Sequence, residues 1–111
     1  MKLPNADAAF IPSDKIMGYL LSSSHPVGGP KARFFRAHGF DEMNTEKLET
    51  GLLAIARSAD VEVVQSSHGT KCVADGDLLT PSGERVRVRT VWIVEPADPR
   101  PRLVTAYPIK Y

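Results

Sequence analysis

The sequence predicts an α+β fold in which two to three N-terminal helices pack on one face of a four-stranded, mostly antiparallel sheet. Three observations predict it. Up to residue 60 apolar side chains recur at helical spacing, most plainly at Leu48, Leu52, Ile55 and Ala59. After Asp60 the period shortens to two, in β-branched runs such as Val61-Glu-Val-Val and Arg85-Val-Arg-Val-Arg-Thr-Val-Trp-Ile-Val. The links between those runs are short, and short links force antiparallel neighbours because a parallel crossover takes about a dozen residues. A length of 111 residues suits a single core, so residues 1–111 are expected as one domain, with 1–60 helical and 61–111 forming the sheet.

Taken in order, Pro4 and Pro12 make residues 1–12 an extended lead-in. Ser13 is a suitable N-cap and Asp14 suits the first turn of a helix running through about Leu21, with Ile16, Met17, Leu20 and Leu21 as its buried stripe. Ser22 to Gly29 is a loop. Pro30 suits the first position of a second helix that ends near His38 and is capped by Gly39. Phe34 and Phe35 anchor this helix, and Lys31, Arg33 and Arg36 lie toward its exposed side. Asn44 or Thr45 caps the third helix, where Gly51 is about 1 kcal/mol worse than Ala and marks close packing on a neighbour.

Val61–Ser66 is the first strand, His68-Gly69 a turn, and Thr70–Ala74, continuing toward Leu79, the second strand. Thr80–Glu84 turns tightly into the central strand, whose Arg/Val alternation gives way to apolar residues on both faces from Val91 to Val94. Three prolines in Glu95–Pro101 should break that strand, and Leu103–Tyr107 returns beside it.

A formal net charge of +1 excludes a global basic field, and the charges are evenly spread, so a site for a polyanion must be a local cluster. Cys72 is the only cysteine, which rules out an intrachain disulfide and a four-cysteine zinc site and fits a reducing compartment. No apolar run approaches the roughly 20 residues of a membrane helix, and the N-terminus lacks a signal-peptide core. The expectation is a cytoplasmic protein without membrane contact. His25, His38 and His68 show no metal-ligand spacing, so neither metal nor other cofactor is expected.

Four stretches can carry chemistry, and each has a plain structural alternative. His25-Pro-Val-Gly28-Gly29-Pro-Lys31-Ala-Arg33 is a glycine loop opening a helix with cations in its first turn, which suits a phosphate. It lacks the spacing of a P-loop, and a simple turn into a helix would look the same. Ser67-His68-Gly69-Thr70-Lys71 offers a general acid or base beside a cation, or merely a polar hairpin tip. Arg85, Arg87 and Arg89 share one sheet face and can line a groove for a polyanion, with Thr90 on the opposite face; a solvated edge strand looks similar. Thr105 and Tyr107 alternate onto one face, where their hydroxyls could converge with Thr90. Asp41 and Glu42 complement a helix dipole, Trp92 is core, and Cys72 has no companion to make it a nucleophile.

Leu3-Pro-Asn-Ala6, His25-Pro-Val-Gly-Gly29 with Lys31-Ala32, Gly69-Thr-Lys71, Arg87-Val-Arg-Thr-Val-Trp92 and Leu103-Val-Thr-Ala-Tyr-Pro108 together resemble a small uncharacterised bacterial domain family. More distantly, N-terminal helices before a four-stranded sheet ending in Thr-Ala-Tyr-Pro resemble toxin ribonucleases of the barnase–EndoU–colicin–RelE-like class, including contact-dependent inhibition toxins with an RNase A-like reaction. That resemblance implies a metal-independent ribonuclease, the toxin of a toxin–antitoxin or polymorphic toxin system, with RNA as substrate and a small cognate antitoxin or immunity protein as partner. It further implies His25 or His68 as base and the other, or Tyr107, as acid. Lys31, Lys71 and Arg89 would stabilise the pentavalent phosphorus, and Thr90 and Thr105 would bond its oxygens. A binding module that uses the same basic groove without catalysis is the competing expectation.

Overall fold

The computed structural model describes residues 2–16, 21 and 29–109. Among the described residues a 3-10 turn, Ala6–Ala8, precedes the helical segments α1 (Ser13–Lys15), α2 (Gly29–Ala37) and α3 (Thr45–Ser58). Four strands follow, β1 (Val61–Ser66), β2 (Gly69–Leu79), β3 (Arg85–Glu95) and β4 (Asp98–Pro108). They form one antiparallel sheet in the order β1-β2-β3-β4. The expected α+β architecture is therefore what the chain adopts.

Strand alternation sorts side chains onto two faces. Cys72, Ala74, Leu78, Val88, Thr90, Trp92, Leu103 and Ala106 are buried on the face that the helices cover. The matching helical stripe is Leu48, Leu52, Ile55 and Ala56, with Ala32 and Phe35 supplied by α2. Ala59, expected in that stripe, is only partly buried because the helix ends at Ser58. Helix α3 comes down very close to β2. A Cβ on Gly51 would lie 2.4 Å from a methyl of Leu78, and one on Gly76 would lie 2.9 Å from both γ-carbons of Ile55. Two facing glycines thus set the helix–sheet distance.

Helix α2 ends in a Schellman motif. Phe40 N–H donates to Phe35 O and Gly39 N–H to Arg36 O, with Gly39 at φ +96°. Asn44 precedes α3 but does not cap it through its side chain, contrary to the sequence expectation. Its carboxamide instead accepts from Asp41 N–H and donates to Gly39 O, tying the exit of α2 to the entry of α3.

Two further expectations need correction. Ser13 is the first helical residue rather than a cap, since Pro12 occupies the capping position. Ile16 and Leu21 of the predicted stripe are buried, and Met17 and Leu20 fall outside the described residues. The proline-rich break shrinks to the two-residue turn Pro96-Ala97, and β4 begins at Asp98. The reason lies in backbone direction. Pro101 O accepts from Phe10 N–H, Leu103 N–H donates to Phe10 O, and Pro99 O accepts from Asn5 Nδ2. At positions 99, 101 and 103 the backbone therefore points away from β3, so the N–H groups missing from Pro99 and Pro101 delete no ladder bond to β3.

Candidate functional site on the uncovered sheet face

Helices α2 and α3 cover one face of the sheet, and among the described residues the opposite face is left partly exposed at Val73, Asp75, Arg89, Val91, Thr105 and Tyr107, with Ile93 buried. The residues of the opposite face fall into rows across the strands, set by the antiparallel register. One row is Val73–Val91–Thr105, the next Asp75–Arg89–Tyr107, and the next Asp77–Arg87. Lys71 starts a row through Ile93 to Arg102.

The central row is the most structured. Arg89 Nε donates to Asp75 Oδ1 at 2.8 Å and Nη2 donates to Asp75 Oδ2 at 2.9 Å, a two-pronged pair between β3 and β2. The two side chains are 42% and 31% exposed, so the pair stays open to solvent. The Asp75 carboxylate raises the Arg89 pKa above its ordinary value, and the adjacent Tyr107 hydroxyl of β4 adds to that. In return, hydrogen bonding from Arg89 holds the Asp75 carboxyl below the usual range. By contrast, Arg87 meets Asp77 through a single 3.4 Å contact, and Arg85 stands opposite Leu79 with no ion pair among the described residues. A shallow pocket of about 270 Å³ adjoins the row toward β1, lined by Asp60, Val61, Glu62, Val73, Asp75 and Arg89. Lys2 reaches Asp60 at 3.5 Å from the lead-in.

The sequence-predicted residues divide sharply. Arg85, Arg87, Arg89, Lys71, Thr105 and Tyr107 share the uncovered face. Lys71 is four residues along β2 from Asp75, about 13 Å at strand rise, and is not in the Arg89 cluster. His68 sits beyond it, exposed in the two-residue β1–β2 turn, where its N–H donates to Ser66 Oγ. Arg33 is exposed on α2, in the helical layer. Gly29 and Lys31 open α2, the helix that packs against β4, while His25 and Gly28 and the side chain of Lys31 lie outside the described residues.

Thr90 requires a correction. It is fully buried on the helix side of the sheet, where its hydroxyl donates to Ala74 O at 2.8 Å and accepts from Trp92 Nε1 at 2.9 Å. It pairs with Ala106, not Thr105, so the three hydroxyls cannot converge. Thr90 satisfies the buried indole, and no phosphate can reach it.

Sequence reasoning missed Asp75 and Asp77. Their signal was present as an Asp-x-Asp on β2 that alternates just as Arg87 and Arg89 do on β3. Only the register shows that the two ladders face each other. Among the described residues no group of three His, Cys, Asp or Glu is placed to hold a metal ion. A larger concavity of about 630 Å³ between α3 and the β2–β3 turn contains none of the candidate residues. No helix among the described residues is long and apolar enough to cross a membrane.

The chain belongs to the family described as Domain of unknown function (DUF6883). The family profile matches residues 2–110, essentially the whole chain. No curated protein matches this DUF6883 domain in sequence. In structure it is similar to a chain of a contact-dependent growth inhibition toxin–immunity protein complex from Klebsiella pneumoniae 342, with a TM-score of 0.72 at 16% sequence identity. The likeness covers 96% of this chain and 97% of that one, so the two share a fold from end to end.

Proposed function

We propose that this DUF6883 domain is the toxin of a toxin–immunity pair, and that it cleaves RNA without a metal on the uncovered face around Arg89. The observation that carries the reading is the end-to-end likeness to a chain of a contact-dependent growth inhibition toxin–immunity protein complex. The Arg89–Tyr107 row supports the ribonuclease part, because it offers a fixed guanidinium and a phenolic hydroxyl side by side on open sheet.

In the proposed reaction a base removes the proton of a ribose 2′-hydroxyl, and the oxygen attacks the adjacent phosphorus. The bond from phosphorus to the 5′-oxygen breaks as an acid protonates that oxygen, leaving a 2′,3′-cyclic phosphate and a 5′-hydroxyl. Arg89 stabilises the charge that develops on phosphorus, an effect typically worth a few kcal/mol per well-placed donor. Thr105 bonds a phosphate oxygen, Tyr107 protonates the leaving oxygen, and His25 is assigned as the base that takes the 2′-hydroxyl proton. His68 drops out of this assignment because it lies at the far hairpin tip. The partner is a cognate immunity protein that covers the same face.

A second reading, a binding module without catalysis, draws support from the carboxylates that already occupy Arg87 and Arg89. Induced expression of wild type, His25→Ala and Arg89→Ala in a bacterial host, followed by inspection of total RNA, separates the two. Growth arrest with RNA cleavage by wild type, lost in both variants, is the expected result. Healthy growth with intact RNA at verified soluble expression would sink the toxin reading.

A further inference from the structure

Among the described residues Asp75 is the one carboxylate that grips a ladder arginine with both oxygens. On electrostatics alone it is misplaced: a negative charge against the cation meant to meet phosphate should repel the substrate. Asp77, two residues along the same strand, carries the same charge and touches Arg87 only at 3.4 Å through one nitrogen. The two carboxylates are thus alike in charge, face and strand, and differ in geometry.

A guanidinium is a planar fork with five N–H donors. Asp75 takes one from Nε and one from Nη2, which fixes the plane of the fork at the centre of the sheet. The hydroxyl of Tyr107 meets the same guanidinium from the neighbouring strand. Arg89 is therefore held from β2 and β4 while its own strand, β3, lies between them, and the donors not taken by Asp75 keep one orientation. Among the described residues Arg85 has no such hold, and Arg87 only a loose one.

We infer that Asp75 is a positioning residue, which orients Arg89 so that its free donors meet a single phosphate of an RNA backbone. This rests on the reading of Arg89 as a phosphate contact. It predicts a sign that simple charge counting does not. Replacing Asp75 by Asn removes a negative charge from the site, and positioning requires that RNA binding nevertheless weaken. Replacing Asp77 by Asn removes an equal charge and releases Arg87, so binding should tighten.

The probe is a fluorescein-labelled 2′-O-methyl RNA of mixed sequence, which cannot be cleaved because the attacking hydroxyl is capped. Its affinity is read by anisotropy at one fixed salt concentration. Asp75→Asn is expected to bind roughly tenfold more weakly than wild type, the scale of one charge-assisted hydrogen-bonded pair. Asp77→Asn should bind more tightly, and Asp75→Glu should recover part of the loss. In an Arg89→Lys background, where no fork remains to be oriented, Asp75→Asn should no longer weaken binding and should tighten it as Asp77→Asn does. Melting curves confirm that each variant is folded, and Asp75→Glu with the Arg89→Lys pair carries the test if Asp75→Asn is not. Tighter binding by Asp75→Asn, in step with Asp77→Asn, would overturn the positioning role while leaving the ribonuclease reading intact. Absence of binding by wild type would overturn both.

Discussion

The covered and uncovered faces of this sheet are built from the same strands with the same alternation, yet they are held together by different physics. Toward the helices, β3 presents Val88, Thr90 and Trp92, all fully buried. There the one polar side chain is fully satisfied, since Thr90 both donates to Ala74 O and accepts from the Trp92 indole. Away from the helices the same strand presents Arg85, Arg87 and Arg89, and β2 answers with Asp75 and Asp77. Those partners are half-exposed, so their mutual attraction is screened and adds little to stability. The difference teaches that a substitution on the covered face should destabilise the protein, whereas one on the uncovered face should leave the fold and remove the proposed activity.

The largest effect is expected at the centre of the covered face. Trp92→Ala should lower stability by about 3–5 kcal/mol, through lost burial and the cavity left behind, as read by denaturant unfolding. Thr90→Val keeps the shape but leaves the Trp92 N–H without its acceptor, and should cost about 1–3 kcal/mol in the same assay. If Thr90→Val instead left stability unchanged while reducing the proposed RNA cleavage, the division between the faces would be broken.

On the uncovered face the expectation reverses. Arg89→Ala should barely move the melting temperature and should abolish the proposed growth arrest, so the two assays together sharpen the contrast. The smallest effect lies at the β3–β4 turn. Asp98 accepts from the Arg100 guanidinium and backbone N–H, and these bonds hold its carboxyl at about 2. A depressed carboxylate contributes its stabilisation fully above the ordinary value near 3.8 and loses it as pH falls through about 2. A carboxyl-carbon NMR titration should therefore place the midpoint of Asp98 near 2, and Arg100→Ala should return it toward the ordinary range.

Much of the fold was legible in the sequence because its signals are local. The spacing of Leu48, Leu52 and Ile55 announces the buried stripe of α3, and the run Val61–Ser66 has the bounds of β1. Gly39 terminates α2 as its freedom at positive φ suggests. Prolines misled where direction mattered. Pro99 and Pro101 look like breakers until the outward side of an edge strand is known, and that side depends on Asn5 and Phe10, about ninety residues earlier along the chain.

The sequence by itself determined the α+β order, the faces of each strand and the shared side of Arg85, Arg87 and Arg89, because periods of 3.6 and 2 are written residue by residue. Only the tertiary structure decided which of those arginines is gripped, and by what. The register that sets Asp75 beside Arg89 and Tyr107, and Thr90 beside Ala74 and Ala106, is a relation between strands. Sliding one strand by two residues would preserve every alternation and rearrange every pair.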